Sequence, residues 1–129
     1  MKKVNLGAKR ILVVEDEPAI CEVCQRVLTG EGFEVDTAIN GKVAQDMIEK
    51  QQYDLFLIDI RMPEMDGEEL YRWLQEKDPQ IASKSILTTG SVTGEKAHSF
   101  LERVTTPFLP KPFTPDELKT IVRETLKGI

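Results

Sequence analysis

The feature that most constrains the fold of this chain is a regular alternation of short apolar runs with longer amphipathic stretches. The runs from Ile11 to Val14 and from Leu55 to Ile58 are each followed by a stretch in which apolar residues recur at helical spacing. Five such pairs can be counted along the chain. Strands that alternate with helices are typical of β-α units around a parallel sheet. The sequence therefore predicts an α/β fold, a five-stranded parallel sheet flanked by five helices.

The strands differ in how apolar they are, which indicates their order in the sheet. The first strand, about 10–14, and the third, about 55–58, are continuously apolar, as expected for strands buried on both faces. The second alternates from Phe33 to Ile39, and the fifth, at Phe108 and Leu109, runs into Pro110, so both are typical of sheet edges. This pattern favours the order 2-1-3-4-5 of a flavodoxin-like doubly wound sheet, with its switch point between strands one and three.

The predicted helices are amphipathic, and the last has the clearest start. Thr114 is suited to cap it, Pro115 fits its first position and Glu117 completes a capping box. A fourth helix is predicted over 97–104. The first helix begins near Pro18, and its predicted buried face consists of Ile20, Val23, Cys24, Val27 and Leu28.

Composition limits the function classes. The chain has 129 residues, enough for one domain with its own core, which we place at 10–127 after a basic lead-in over 1–9. Its 22 acidic and 17 basic residues give a net charge of −5, which argues against direct binding of nucleic acid. The apolar runs are too short to cross a membrane or to act as a signal peptide, so we expect a cytoplasmic protein without membrane contacts.

Two cysteines, Cys21 and Cys24, form a C-x-x-C pair within the first helical pattern. Such a pair can be a redox couple or half of a zinc site, but no second cysteine or histidine pair completes a metal site. The helical spacing favours packing as the role of both thiols.

Polar residues follow directly after the apolar runs. Glu15 and Asp16 follow strand one, Asp59 follows strand three, and Lys111 follows strand five, while strand four ends in Thr88 and Thr89. Because all strands of a parallel sheet end at one edge, these residues are expected to meet at the switch point. Carboxylates gathered there repel one another unless a cation joins them, and oxygen ligands without histidine or thiolate favour Mg²⁺. Such a site is suited to phosphoryl transfer.

A simpler interpretation applies to each acidic residue taken alone, because carboxylates at strand ends often cap helices or form turns. Glu17 and the pair Asp66 and Gly67 fit that interpretation. The set of strand ends taken together is harder to explain in this way.

Four segments of the chain resemble the signature blocks of response-regulator receiver domains. They are Val13 to Glu17 (VVEDE), Leu57 to Gly67 (LIDIRMPEMDG), Thr89 with Gly90, and Leu109 to Phe113 (LPKPF). Their residue types, order and position at strand ends all match, and the resemblance extends over about residues 10 to 127.

The resemblance implies a role for each matching residue. Asp59 would be the phosphoacceptor, and Glu15 and Asp16 the acidic pair that binds Mg²⁺, to which Arg61 would add its main-chain carbonyl oxygen. Lys111 would offset the phosphoryl charge, and Thr89, in preference to Thr88, would hydrogen-bond the phosphoryl group. Phe108 matches an aromatic switch position whose ring turns inward in response. The family pattern also implies a cis peptide between Lys111 and Pro112. Arg61 and Ser91 would govern access of hydrolytic water.

The first functional hypothesis is therefore a phosphoacceptor module of a two-component phosphorelay, with autophosphorylation and autodephosphorylation activity but no enzyme activity toward other substrates. Its partners would be a sensor histidine kinase or phosphotransfer protein, and a downstream protein that the sequence does not identify; a homodimer formed on phosphorylation is a further alternative. The chain would be either a stand-alone regulator or a receiver excised from a larger protein, and 107–113 looks similar to receivers of hybrid sensor histidine kinases. Because the predicted last helix ends at Gly128, we expect the output to lie in another polypeptide or in a segment outside this sequence.

Two alternatives belong to other classes. A Mg²⁺-dependent phosphohydrolase with an aspartyl nucleophile would also use Asp59, but Asp59-Ile60-Arg61 lacks the second aspartate of the D-x-D motif of such enzymes. Nucleotide or flavin binding is disfavoured because no glycine-rich phosphate loop follows strand one.

Overall fold

The computed structural model describes residues 8–60, 67–89 and 106–127. In chain order the elements are β1 (Arg10–Val14), α1 (Pro18–Gly30), β2 (Glu34–Ala38), α2 (Gly41–Lys50), β3 (Leu55–Asp59), α3 (Gly67–Lys77), a 3-10 helix (Ile81–Lys84), β4 (Ser85–Thr89), β5 (Phe108–Pro110) and a C-terminal helix (Pro115–Lys127). The predicted fourth helix, 97–104, lies outside the described residues.

The strands form one parallel sheet in the order β2-β1-β3-β4-β5, which confirms the predicted topology. β1 and β3 are central and their apolar side chains are buried, whereas β2 at one edge is only partly buried. The register pairs Val14 with Ile58 and Asp59 with Thr88, so the residues that follow β1 and β3 emerge side by side.

The helices cover both faces of the sheet, and each face has its own core. On the α2 and α3 face, Val14, Ile58 and Leu87 pack with Leu70 and Tyr71. The core on the α1 face, which the C-terminal helix also covers, contains Ile11, Val13, Cys24, Leu28, Leu57, Leu118 and Val122. Alternate side chains of a strand point to opposite faces, which explains why neighbours such as Val13 and Val14 belong to different cores.

Helix starts follow local sequence signals. The predicted capping box is confirmed: the Glu117 N–H donates to Thr114 Oγ1 at 3.1 Å, and the Thr114 N–H donates to Glu117 Oε1 at 2.9 Å. Asn40 caps α2 through Oδ1, which accepts from the Val43 N–H at 2.9 Å. No helix within the described ranges is long and apolar enough to cross a membrane.

Two details of the predicted helix face and strand bounds are wrong. Val23 is 42% exposed, because Cys24 and Leu28, four residues apart, form the inward stripe of α1 and Val23 lies to one side of it. The alternation predicted from Phe33 to Ile39 is longer than β2, which ends at Ala38, and Ile39 is 61% exposed between β2 and α2.

Candidate functional site

The site is built around the ammonium group of Lys111, which lies just beyond β5. Its Nζ is 2.6 Å from Glu15 Oε1 and donates a hydrogen bond to Asp59 Oδ2 at 3.1 Å. Glu17 Oε1 is farther away, at 3.6 Å. The ends of β1, β3 and β5 thus bring together three residues that are far apart in sequence. Lys111 thus places a positive charge between the two buried carboxylates.

This ion-pair cluster is shielded from water. Glu15 is 2% exposed, Asp59 is 3% exposed, and the Lys111 side chain is 10% exposed. Burial raises the pKa of Glu15 to about 7, against the lowering effect of Lys111 and with a further rise from the Asp59 charge. Burial lowers the pKa of Lys111, but its contacts with Glu15 and Asp59 outweigh that effect and leave the pKa raised. The lysine therefore stays charged at neutral pH.

The acidic loop after β1 is the place where a metal ion would fit. One carboxylate oxygen from each of Glu15, Asp16 and Glu17 lies within 4.8 Å of the other two. Asp16 is half-buried and Glu17 is exposed. With Asp59 joined to this group through Lys111, the donor set is made only of carboxylate oxygens, which suits a hard cation such as Mg²⁺.

Glu17 has a local structural role at the start of α1, but its side chain is not the helix cap that the sequence favoured. It occupies the N-cap position of α1, with Pro18 at the first helical position, but its side chain caps no N–H group. Instead the Glu17 N–H donates to Glu15 Oε2 at 3.2 Å, which holds the buried carboxylate toward the loop. The Glu17 carboxylate is left on the Lys111 side of the site.

The two threonines at the end of β4 are both buried, each 2% exposed. The main chain of Thr89 is tied to the site because its carbonyl accepts from the Lys111 N–H at 3.0 Å. Thr88 pairs in register with Asp59 and Leu109, and its buried Oγ1 has no hydrogen-bond partner among the residues that the structure describes. Thr88 therefore packs within the strand, as expected.

Some predicted site residues fall outside the described ranges. Arg61, with the carbonyl assigned to the metal, and Ser91, assigned to water access, are both among them, as are Asp66 and Gly90. Phe108 is described: it is half-buried and packs against the core that contains Leu87 and Tyr71. The predicted cis peptide between Lys111 and Pro112 is confirmed.

The cysteines are free thiols within α1. Burial, followed by nearby negative charge, raises the pKa of Cys21 to about 11 and that of Cys24 to about 12. Cys21 Sγ donates to the Glu15 carbonyl oxygen at 3.2 Å, and Cys24 is fully buried in the α1 core. Thiols that remain protonated are poor nucleophiles and poor metal ligands, which agrees with the predicted packing role.

The sequence interpretation missed the contacts that three residues make near the site, namely Gly67, Tyr71 and Thr106. Gly67 begins α3 so close to the phosphoacceptor strand that an added Cβ would lie 2.1 Å from the Asp59 carbonyl oxygen. One turn later, the Tyr71 hydroxyl hydrogen-bonds Thr106 Oγ1 at 2.5 Å. The spacing of four residues between Gly67 and Tyr71 was the available signal. It indicates that both lie on one face of α3, but it does not indicate what that face contacts.

Comparison with known proteins agrees with this arrangement. The sequence profile of the family described as "Response regulator receiver domain" matches residues 11–123. Response regulator Rre1 of Synechocystis sp. is 37% identical over 119 residues, 90% of this chain and 51% of that protein. Sensor kinase CckA of Brucella abortus is 35% identical over 123 residues, 94% of this chain and 13% of the kinase. The chain thus spans about half, or much less, of the length of these curated relatives.

Solved structures show the same fold. A CheY-like receiver domain protein from Methanospirillum hungatei superimposes with a TM-score of 0.85 at 31% identity, covering 95% of this chain and 96% of that one. Response regulator TrrA from Thermotoga maritima, solved in complex with Mg²⁺ and BeF, gives a TM-score of 0.76 at 35% identity, covering 91% and 98%. This chain therefore belongs to the response regulator receiver domain family.

Proposed function

We propose that this chain accepts a phosphoryl group on Asp59 from a phosphohistidine of a sensor histidine kinase or phosphotransfer protein. The observation that carries the proposal is the buried Asp59 carboxylate at the switch point, held by Lys111 next to Glu15. The family match supports a phosphoacceptor, and the intrinsic autophosphorylation and autodephosphorylation belong to this proposal. We take residues 10–127 as the functional unit.

The chemistry assigned to the chain is a displacement at phosphorus. A carboxylate oxygen of Asp59 forms the new P–O bond while the P–N bond to the donor histidine breaks and its electron pair returns to the imidazole. The product is an acyl phosphate, which water later hydrolyses to the free carboxylate and inorganic phosphate. Lys111 is already within hydrogen-bond distance of Asp59 Oδ2, so its charge can offset that of the incoming phosphoryl oxygens. Thr89, at the adjacent strand end, is assigned the phosphoryl hydrogen bond.

Mg²⁺ is the cofactor proposed for this site. Glu15, Asp16 and Asp59 would hold it, with the Arg61 carbonyl added from the family pattern. When bound, the ion neutralises phosphoryl and carboxylate charge together. The chain's own contribution is to keep Glu15 buried and oriented, through the Glu17 N–H, and to keep the site largely shielded from bulk water.

The proposed output is a change of surface that a downstream protein recognises. Phe108 packs against the α3 core, and we assign it the inward turn that follows engagement of Thr89. The surface read by the partner would be that of the predicted fourth helix, which lies outside the described residues, together with β5 and the C-terminal helix. The relatives include a sensor kinase and a response regulator longer than this chain, which supports partners on both the donor and the output side.

Intact mass measurement tests the phosphoacceptor assignment. The parent, Asp59→Asn and Asp46→Asn, an exposed control on α2, are incubated with acetyl phosphate with and without Mg²⁺. The parent and Asp46→Asn are expected to gain one phosphoryl mass in a Mg²⁺-dependent way, and Asp59→Asn none. If Asp59→Asn gained the mass as readily as the parent, the assignment would be wrong.

A further inference from the structure

A buried hydrogen bond joins α3 to the segment that leads into β5. Tyr71 on α3 is 1% exposed and Thr106 is 7% exposed, and their hydroxyl oxygens are 2.5 Å apart. Neither residue has been given a role above. A buried hydrogen bond between two elements helps to fix their relative position, because breaking it costs free energy in the core.

The other end of this connection lies at the phosphoacceptor. Gly67, the first residue of α3, leaves no room for a Cβ, which would lie 2.1 Å from the Asp59 carbonyl oxygen and 2.5 Å from Ile60 Cα. α3 thus rests on the main chain of Asp59 at its first residue. Four residues later it holds Thr106 through Tyr71.

Thr106 is in turn close to the proposed switch residue. The next residue, Pro107, accepts the Leu87 N–H at 2.9 Å, and Leu87 pairs in register with Phe108. Phe108 packs against the same core cluster as Tyr71 and Leu87. An inward turn of Phe108 brings its ring toward the cluster that contains the Tyr71 ring, and the Tyr71–Thr106 hydrogen bond links that ring to the segment that leads into β5.

We infer that Tyr71 is a positioning residue which, through its hydrogen bond to Thr106, holds β5 and Phe108 in the unphosphorylated arrangement. The inference rests on the proposed function, since it assigns a restraint to the switch that phosphorylation of Asp59 operates. Phosphorylation then has to work against this restraint, and removal of the hydroxyl lowers the cost of the switch.

The test uses beryllofluoride, formed from BeCl₂ and fluoride with Mg²⁺, as a non-hydrolysable phosphoryl substitute. Tyr71→Phe keeps the ring and removes the hydroxyl, so its affinity for beryllofluoride by isothermal titration is expected to rise about fivefold, the effect of one net hydrogen bond. A ¹⁹F label on the phenylalanines, with the Phe108 signal assigned by Phe108→Leu, is expected to show part of the beryllofluoride-bound environment before the probe is added.

The second tyrosine supplies a matched control. Tyr53 donates to Asp36 Oδ2 at 2.8 Å at the opposite edge of the sheet, so Tyr53→Phe removes a comparable hydrogen bond and is expected to leave both readouts unchanged. Thr106→Val removes the partner hydroxyl and is expected to reproduce Tyr71→Phe, with no added effect in the double variant, whereas Thr106→Ser keeps the parent behaviour.

The possible outcomes distinguish a failure of this inference from a failure of the proposed phosphoacceptor function. A parent that binds beryllofluoride, together with Tyr71→Phe and Thr106→Val variants of unchanged or weaker affinity, would overturn the positioning role of Tyr71. Failure of the parent itself to bind, with Asp59→Asn indistinguishable from it, would overturn the proposed function and this inference with it. Unfolding free energies measured in parallel identify any loss of affinity that comes from a misfolded variant.

Discussion

The buried carboxylate of Glu15 makes a specific prediction about stability and pH. Glu15 is 2% exposed, and its pKa is raised from 4.5 to about 7, chiefly by burial. The folded state binds the Glu15 carboxyl proton more tightly than the unfolded chain does. Protonation of Glu15 therefore favours the folded state, and this contribution is fully present below about pH 4.5 and is lost as the pH rises through about 7. Each pKa unit corresponds to about 1.4 kcal/mol, so without Mg²⁺ this residue costs the folded state about 3 kcal/mol at pH 7.5.

Urea unfolding at pH 5 and pH 7.5, in the presence of EDTA, measures this cost. Glu15→Gln removes the titrating group, so its unfolding free energy at pH 7.5 is expected to exceed that of the parent by about 2 to 3 kcal/mol, with a much smaller difference at pH 5. Glu49→Gln, an exposed position on α2, controls for the change in net charge. A parent and a Glu15→Gln variant that respond equally to pH would refute the reasoning.

Three further predictions follow from single contacts. Lys111→Met removes the ammonium that competes with a metal ion for the paired carboxylates, so Mg²⁺ affinity by isothermal titration should rise about tenfold; a weaker affinity would contradict this. Thr88→Val replaces a buried, unpartnered hydroxyl by a methyl group and should raise the unfolding free energy in urea by about 1 kcal/mol; a decrease would show that the hydroxyl is satisfied. Gly67→Ala should destabilise the fold by about 3 kcal/mol or more, whereas Gly30→Ala, with no atom within 4 Å of the added Cβ, should be nearly neutral; equal losses would contradict the close packing of α3.

The sheet topology could be predicted because the burial of a strand determines which of its residues are apolar. Central strands are apolar on both faces and edge strands are not, so the order of the sheet followed from Leu55 to Ile58 on one side and from the alternation in β2 on the other. The capping box of the C-terminal helix was equally readable, because its hydrogen bonds join residues only three positions apart.

The arrangement within the site was only partly predictable. That Glu15, Asp59 and Lys111 meet follows from the parallel register, but strand order does not say which groups touch. The ammonium of Lys111 lies between Glu15 and Asp59, and the Glu17 side chain lies near it instead of capping α1. Such choices depend on side-chain torsions and on competition between charges at short range.

Contacts between distant elements were missed altogether. Tyr71 and Thr106 are 35 residues apart, and nothing in the pattern around either residue specifies the other. Gly67 was interpreted as part of a turn, whereas the approach of α3 to the Asp59 carbonyl is the feature that excludes a side chain there. For Val23 the sequence predicted a contact that does not form: helical spacing alone placed it in the core, although it is 42% exposed.

The most direct test of the central proposal is to map the phosphorylated residue. The parent is treated with acetyl phosphate and Mg²⁺, and the acyl phosphate is then reduced with borohydride, which converts a phosphorylated aspartate to homoserine. Peptide mass spectrometry is predicted to find homoserine at position 59 and nowhere else. Homoserine at another aspartate, or none at position 59 in a protein that has gained phosphoryl mass, would contradict the account.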